Sequence, residues 1–140
     1  MKTPISLFVL PFVLITTLSF GQNFIAKKHS DQFIKNCVIE VFQDKSEVVF
    51  DTSSRRYELI KHFFKNQIAV EYRPEYKGKK FESTNTLNLN SKNNSNLQRD
   101  ESYNPNMFNP LKYNISMNPV KEQMYRIGES DYIMIISQSK

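Results

Sequence analysis

Two segments in the first half of the chain carry apolar residues at helical spacing. Ser30 is suited to cap the first segment, and Asp31 places a negative charge in its first turn, where the helix dipole favours one. The apolar stripe that follows predicts an amphipathic helix over roughly 31–43. The stripe consists of Phe33, Ile34, Cys37, Val38, Val41 and Phe42. A second amphipathic helix is predicted over roughly 54–66. Its apolar face consists of Tyr57, Leu59, Ile60, Phe63 and Phe64.

Shorter stretches with alternating or β-branched residues predict strands. They lie at 47–50, 68–72, 87–89 and 113–117. Two further runs, 123–127 and 132–136, flank a four-residue turn and predict a β-hairpin. Every residue of 132–136 is apolar, so we expect this run to be a central strand with both faces covered.

The order of these elements predicts an α+β fold. We expect one domain over 30–140, in which two N-terminal helices pack on an antiparallel sheet of about four to six strands. Residues 22–29 are expected to form a flexible lead-in. Residues 90–106 are rich in Asn and Ser and predict a long loop, a feature that is typical of functional or disordered segments.

The first 21 residues have the pattern of a cleavable secretory signal peptide. A short basic start is followed by an uncharged stretch that is mainly aliphatic and aromatic. This stretch ends in Ser19-Phe20-Gly21, which fits the small-x-small rule of signal peptidase and predicts cleavage between Gly21 and Gln22. We therefore expect residues 1–21 to be removed and the protein to be exported, to the periplasm or out of the cell.

An uncleaved membrane anchor at the N-terminus is the alternative. The apolar stretch is shorter than the about 20 residues that a spanning helix needs. Lys27 and Lys28 follow it and outnumber Lys2, which argues against an anchor with an exported body, because basic residues favour the cytoplasmic side. No cysteine lies at the cleavage point, so lipid modification is not expected there. After cleavage we expect no stable membrane span.

Composition narrows the classes of function. Without residues 1–21 the chain has 119 residues, with 18 Lys and Arg against 14 Asp and Glu, a net charge of +4. This length supports a hydrophobic core without disulfides, and the single Cys37 cannot form one within the chain. The mild positive charge is not a nucleic-acid signature, so we do not expect nucleic acid as a partner. Two glycines remain, Gly78 and Gly128, which excludes glycine-rich phosphate loops.

The sequence carries no motif for catalysis, for a metal or for a cofactor. The two histidines are His29 and His62, and the patterns HExxH, CxxC and GxSxG are absent. Cys37 lies in the apolar stripe of the first predicted helix, so we expect it to be buried and inert. We therefore expect no catalytic residue, no metal and no cofactor.

Residues 74–82, PEYKGKKFE, form the most distinctive local feature. Basic charge beside aromatic rings suits contact with an anion such as a phosphate, an acidic glycan or a lipid headgroup. The candidate contact residues are Tyr76, Lys77, Lys79 and Lys80. The alternative is a solvated turn whose rings anchor it to the core, since three lysines are few and Glu75 and Glu82 dilute their charge.

Taken together, these patterns predict a small exported α+β protein that binds a protein partner or an envelope component without catalysing a reaction. A first alternative is a small secreted hydrolase with a carboxylate site that matches no motif. Its acids would come from predicted loops, at Asp51, Glu129 and Asp131. A second alternative is an inhibitor-like or immunity-like protein that presents the loop 90–106.

Overall fold

The computed structural model describes residues 29–138, which form helices in their first third and a four-stranded sheet. The chain is thus α+β. The predicted signal peptide, its cleavage point between Gly21 and Gln22 and all of the lead-in except His29 lie outside the described residues. No helix within residues 29–138 is both long and apolar enough to span a membrane.

Helix α1 (Asp31–Phe42) forms where the first apolar stripe predicted it. The Ser30 hydroxyl accepts a hydrogen bond from the backbone N–H of Phe33 at 3.1 Å, which satisfies one of the free donors of the first turn. The helix ends at Phe42, because the φ of the next residue, Gln43, is +44° and does not continue the α-helical backbone. The residues that α1 buries are Ile34, Cys37, Val38 and Val41.

Residues 46–50 are helical, so the prediction of a strand at 47–50 was wrong. Helix α2 (Ser46–Phe50) follows α1 through a 3₁₀ turn, Gln43–Lys45. Val49 is 2% exposed and belongs to the hydrophobic core, whereas Val48 is 53% exposed. The preference of valine for strands depends on packing against a neighbouring strand. Here Val49 packs in the hydrophobic core from a helix instead.

Helix α3 (Arg56–His62) continues directly into a wider π-helical turn, Phe63–Gln67. A helical segment was predicted here, but not its change of winding. The i→i+5 hydrogen bonding of a π turn alters the spacing of side chains around the axis, and both Phe63 and Phe64 are buried. Leu59 was predicted on the apolar face and is 65% exposed, so that prediction was wrong. The core side of α3 is occupied by Ile60.

The sheet is mixed rather than wholly antiparallel, and its strand order is β1-β4-β3-β2. Its strands are β1 (Ile68–Tyr72), β2 (Glu82–Ser83), β3 (Gln123–Arg126) and β4 (Tyr132–Ile136). Strands β1 and β3 pair antiparallel with β4, while β2 pairs parallel with β3. The connection from β1 to β2 joins opposite edges of the sheet, which no local pattern revealed.

The predicted hairpin and its central strand are confirmed. In register, Met134 of β4 faces Val70 of β1 on one side and Tyr125 of β3 on the other. Met134 and Ile136 belong to the core cluster that also contains the buried residues of α1 and α3. The residues between and before them, Ile133 and Ile135, point to the opposite face and are also buried. Both faces of β4 are therefore covered.

The segment 90–106 contains no helix or strand and is packed against the fold. The Asn94 amide donates to the backbone carbonyl of Glu40 in α1 at 2.8 Å, and Leu97 is buried. The strands predicted at 87–89 and 113–117 were wrong. Leu89 and Tyr113 form one isolated antiparallel bridge. The backbone N–H of residue 115 then donates to the carbonyl of Tyr113 at 2.9 Å, which curls the chain out of the ladder.

Candidate functional site

The basic-aromatic loop, residues 74–82, is tied to the sheet by one arginine. Arg126 of β3 donates from Nη2 to the backbone carbonyls of Tyr76 at 2.9 Å and Lys79 at 3.3 Å. Between these two carbonyls Gly78 adopts a φ of +86°, a conformation that glycine tolerates and a side chain resists. The loop backbone is therefore held in one shape before any ligand arrives.

The two rings of the loop form a stacked pair with a cation beside each ring. The ring centroids of Tyr76 and Phe81 lie 5.5 Å apart with an interplanar angle of 29°. The Lys79 ammonium lies 4.1 Å from the Tyr76 centroid, and the Arg126 guanidinium carbon lies 5.8 Å from the Phe81 centroid. Cations within about 6 Å of a ring face are attracted by its quadrupole. The rings thus organise the loop from within.

Arg73, just before the loop, is neutralised by its neighbours, whereas the loop lysines are not. Arg73 forms ion pairs with Glu71 and with Glu75. The hydrogen bonds with Glu71 and then Glu75 raise the pKa of the Arg73 guanidinium. The three lysines of the loop are exposed and form no ion pair with any other residue between 29 and 138. Their positive charge is therefore presented to solvent.

The structure brings the four predicted anion-contact residues together in one loop, since they are neighbours in sequence. It adds Arg126, which was not among the predicted contact residues because it lies more than 40 residues downstream. Its position in a predicted strand is a sequence signal that could have indicated this role. Arg126 alternates with Tyr125 along a predicted strand, so the two side chains project from opposite faces of the sheet. An arginine that faces a sheet surface needs acceptors, and the loop carbonyls supply them.

A second polar cluster, the Lys112 network, joins α1 to the end of the Asn-rich loop and the segment that follows it. The Lys112 ammonium lies 2.7 Å from Asp100 Oδ1 and 2.9 Å from Glu40 Oε1. Tyr113 donates its hydroxyl to Asp100 Oδ2 at 3.1 Å, and the Asn109 amide donates to Glu40 Oε2 at 2.8 Å. No sequence pattern indicated this network, because Glu40 is far in the chain from the other members and these follow no regular spacing.

The Lys112 network has a structural role in the fold. The Lys112 side chain is 9% exposed, and burial by itself lowers the pKa of a lysine. The hydrogen bonds with Asp100 and Glu40 outweigh this effect, and the pKa of Lys112 is raised. The ammonium is therefore firmly charged and engaged by two carboxylates, which fastens residues 100–112 to α1.

The cysteine and the exposed histidine have ordinary structural surroundings. Cys37 is buried, as predicted, and burial followed by the charge of Glu40 raises the pKa of its thiol to about 12. The thiolate that a nucleophilic cysteine needs is therefore not formed near neutral pH. His62 is exposed, and its Nδ1 lies 3.1 Å from the amide nitrogen of Asn66.

The three acids considered for a hydrolase lie in two different parts of the fold. Asp51 lies between α2 and α3, where its Oδ1 accepts a hydrogen bond from the backbone N–H of Ser53 at 2.9 Å. This bond lowers the pKa of Asp51. Glu129 and Asp131 lie in the hairpin turn, and the backbone carbonyl of Asp131 accepts from the N–H of Arg73 at 2.8 Å. The contacts of Asp51 and Asp131 are thus those of a cap and a turn.

Within residues 29–138, no group of three or more His, Cys, Asp or Glu side chains is arranged to hold a metal ion. Comparisons with protein-family models, with curated proteins and with solved structures give no match to this chain. Its function is therefore inferred from the contacts and charges of the described residues.

Proposed function

We propose that this chain is a small exported protein that binds an anionic component of the cell envelope through the basic-aromatic loop and catalyses no reaction. Export is proposed from the signal-peptide pattern of residues 1–21, with cleavage between Gly21 and Gln22. After cleavage the protein is periplasmic or secreted.

One observation carries the binding role, namely three exposed lysines on a loop whose shape is already set. Arg126 holds the carbonyls of Tyr76 and Lys79, so little backbone freedom remains to be lost when a ligand binds. The lysines make no ion pair with a described residue, and Glu75 is engaged by Arg73. The loop therefore offers three exposed lysines on a held backbone to phosphate, acidic glycan or anionic headgroups.

A binding role is also supported by the structural contacts of the side chains that could otherwise act in catalysis. Cys37 is a buried thiol whose pKa is raised to about 12. Lys112 and its two carboxylates hold the chain to α1. Asp51 accepts a hydrogen bond as a cap. These contacts serve the fold, whereas the three lysines of the loop are exposed and pair with no described carboxylate.

The binding proposal is tested by co-sedimentation of the purified protein with phosphatidylglycerol vesicles and with inorganic polyphosphate. The double variant Lys77→Gln/Lys80→Gln should weaken binding to at least one of these probes on the order of tenfold at low ionic strength, because each lysine near an anionic surface contributes about 1 kcal/mol. Neutral phosphatidylcholine vesicles should not bind.

The matched control is Lys35→Gln/Lys121→Gln, which removes the same charge from exposed positions outside the loop. Binding should change less than about twofold in this variant, because the lost charges lie away from the contact. An equal loss in both variants would show that net charge, rather than the loop, attracts the anion. Absence of binding to both anionic probes would also contradict the proposal.

The export proposal has a separate test. The full chain, expressed in a bacterium with a Sec pathway, should appear outside the cytoplasm with Gln22 as its first residue, as measured by intact mass. Gly21→Tyr should block cleavage at this position, because signal peptidase requires a small residue there. A cytoplasmic protein, or an exported one that retains residues 1–21, would overturn the proposal.

A further inference from the structure

A small cleft lies where α2 and the start of α3 meet the Asn-rich loop. Its volume is about 240 Å³. The cleft is lined by the apolar residues Phe42, Val48 and Val49 and by the basic residues Lys45, Arg56 and Lys92. These three cations come from three different segments of the chain. The cleft was not indicated by any sequence pattern.

All charged residues that line this cleft are positive. Asn93 completes the lining, and no lining residue is an acid. None of the three cations forms an ion pair with a residue between 29 and 138. The acids next to them in sequence, Asp44 and Glu47, are exposed and do not line the cleft. Positive charges gathered around a low-dielectric wall attract an anion and raise its local concentration.

The two walls of the cleft are held in place by hydrogen bonds. On the loop side, Asn94 donates to the carbonyl of Glu40 at 2.8 Å and accepts from the N–H of Asn96 at 3.0 Å. On the helix side, the N–H of Arg56 donates to the Ser54 hydroxyl at 3.3 Å. The backbone near Lys92 and Arg56 is therefore held in place on both sides of the cleft.

We propose that this cleft binds a small amphipathic anion. A single phosphate or carboxylate group would contact Lys45, Arg56 and Lys92, and a short apolar body would lie on Phe42 and Val48. Binding sites for drug-sized ligands have volumes of about 300–1,000 Å³, so a cleft of this size suits a smaller molecule. The site is separate from the basic-aromatic loop and does not rest on the function proposed above.

The test uses hexyl phosphate as the probe and measures its Kd by isothermal titration calorimetry with the purified protein. Inorganic phosphate serves as the probe with charge but no apolar body, and hexyl glucoside as the probe with an apolar body but no charge. Hexyl phosphate should bind at least about tenfold more tightly than either, because only it uses both walls. Equal affinity for all three probes, or no binding of hexyl phosphate, would overturn the proposal.

Variants locate the binding within the cleft. Arg56→Gln and Lys92→Gln should each weaken hexyl phosphate binding about five- to tenfold, because each removes one charge-assisted contact. Val48→Ser should weaken hexyl phosphate but leave inorganic phosphate unchanged. All three residues are exposed, so these variants should fold, which circular dichroism will verify. Lys121→Gln is the control, and a loss as large as that of Arg56→Gln would assign the effect to net charge and sink the proposal.

Competition then identifies the source of the anion. Displacement of hexyl phosphate by phosphatidylglycerol vesicles would support the site with a membrane lipid as ligand. Displacement by free hexanoate, but not by vesicles, would support the site with a soluble ligand. If neither the vesicles nor hexanoate displace hexyl phosphate from the cleft, the proposed chemistry of the cleft is wrong. The loop variant Lys77→Gln/Lys80→Gln should leave hexyl phosphate binding intact, which separates this test from that of the loop.

Discussion

Replacing Lys112 by Met removes the cation of the Lys112 network but keeps a side chain of similar shape. The side chains of Lys112 and Asp100 are 9% and 14% exposed, so Asp100 would become a nearly buried carboxylate without its counter-charge. Breaking a fully buried ion pair costs about 3–5 kcal/mol. Glu40 is 43% exposed and can turn to solvent, and Tyr113 still donates to Asp100. We therefore expect the free energy of unfolding to fall by about 2–3 kcal/mol.

The measurement is urea unfolding at pH 7 followed by circular dichroism, in which the midpoint should fall while the slope stays the same. For a chain of this size the same loss corresponds to a Tm lower by about 10 °C. Lys61→Met is the matched control. Lys61 also pairs with a carboxylate, Glu58 at 3.2 Å, but that carboxylate is 69% exposed. Its loss should leave the midpoint unchanged within error.

Two further results distinguish charge from packing in this variant. Asp100→Asn added to Lys112→Met should restore part of the lost stability, because it removes the stranded carboxylate. The pKa of Lys112 is raised in the folded chain, so its stabilisation is complete below about pH 10 and is lost as the pH rises through the raised value. The stability difference between the native chain and Lys112→Met should therefore shrink above pH 10. A midpoint shift no larger than that of Lys61→Met would refute this reasoning.

Three other predictions concern the core and one turn. Because burial raises the pKa of Cys37 to about 12, the unfolded thiol ionises above pH 9 while the folded one keeps its proton. The native chain should therefore lose about 1 kcal/mol of stability from this group between pH 8 and pH 10, and Cys37→Ala should lack that loss in urea titrations. Identical pH dependence in both proteins would contradict the burial. Ile60→Ala should cost about 2–4 kcal/mol through a cavity, whereas Leu59→Ala, at a solvent-exposed position, should cost less than about 0.5 kcal/mol by the same assay. Equal costs would place Leu59 in the core. Gly128→Ala should cost about 1 kcal/mol because its φ is +57°, although Asn85, 3.9 Å from the new carbon, leaves room for it. An unchanged urea midpoint would show that the turn tolerates a side chain.

The elements that could be predicted are those whose burial pattern repeats over several turns or residues. The stripe of α1 recurs every three to four residues and begins at a capping serine, so its extent followed from local chemistry. The hairpin of β3 and β4 is also local, because two runs of suitable residues flank one short turn. In the helix the backbone partners lie four residues apart, and in the hairpin they lie 7 to 13 residues apart across one turn.

The errors fall where a short segment has no local partner. Glu47–Phe50 has strand-like composition, but no strand of residues 29–138 pairs with it, and Val49 packs in the hydrophobic core instead. The segment 113–117 alternates as a strand does, yet it meets Leu89 at a single bridge and then curls away. Alternation fixes which side chains share a face, but pairing requires a neighbour that only the rest of the chain can supply.

The candidate sites also combine features that local sequence predicts with features that depend on distant residues. The lysines of the basic-aromatic loop are adjacent in sequence, so their clustering was visible without a structure, and their anion contact stays a prediction. The anchoring by Arg126 was not visible, because it joins positions about fifty residues apart. The cationic cleft was not visible either, since Lys45, Arg56 and Lys92 meet only after three segments pack together.

The sequence alone determined the α+β class, the burial of Cys37 and the central position of 132–136, because each depends on the periodicity or density of apolar residues. It also carries the export pattern of residues 1–21, a property of local composition. Tertiary structure alone decided the parallel pairing of β2, the helical state of 46–50 and the Lys112 network. The physical reason is that ion pairs and strand pairing act over distances in space, and distant residues are brought within a few ångströms only by the packed core.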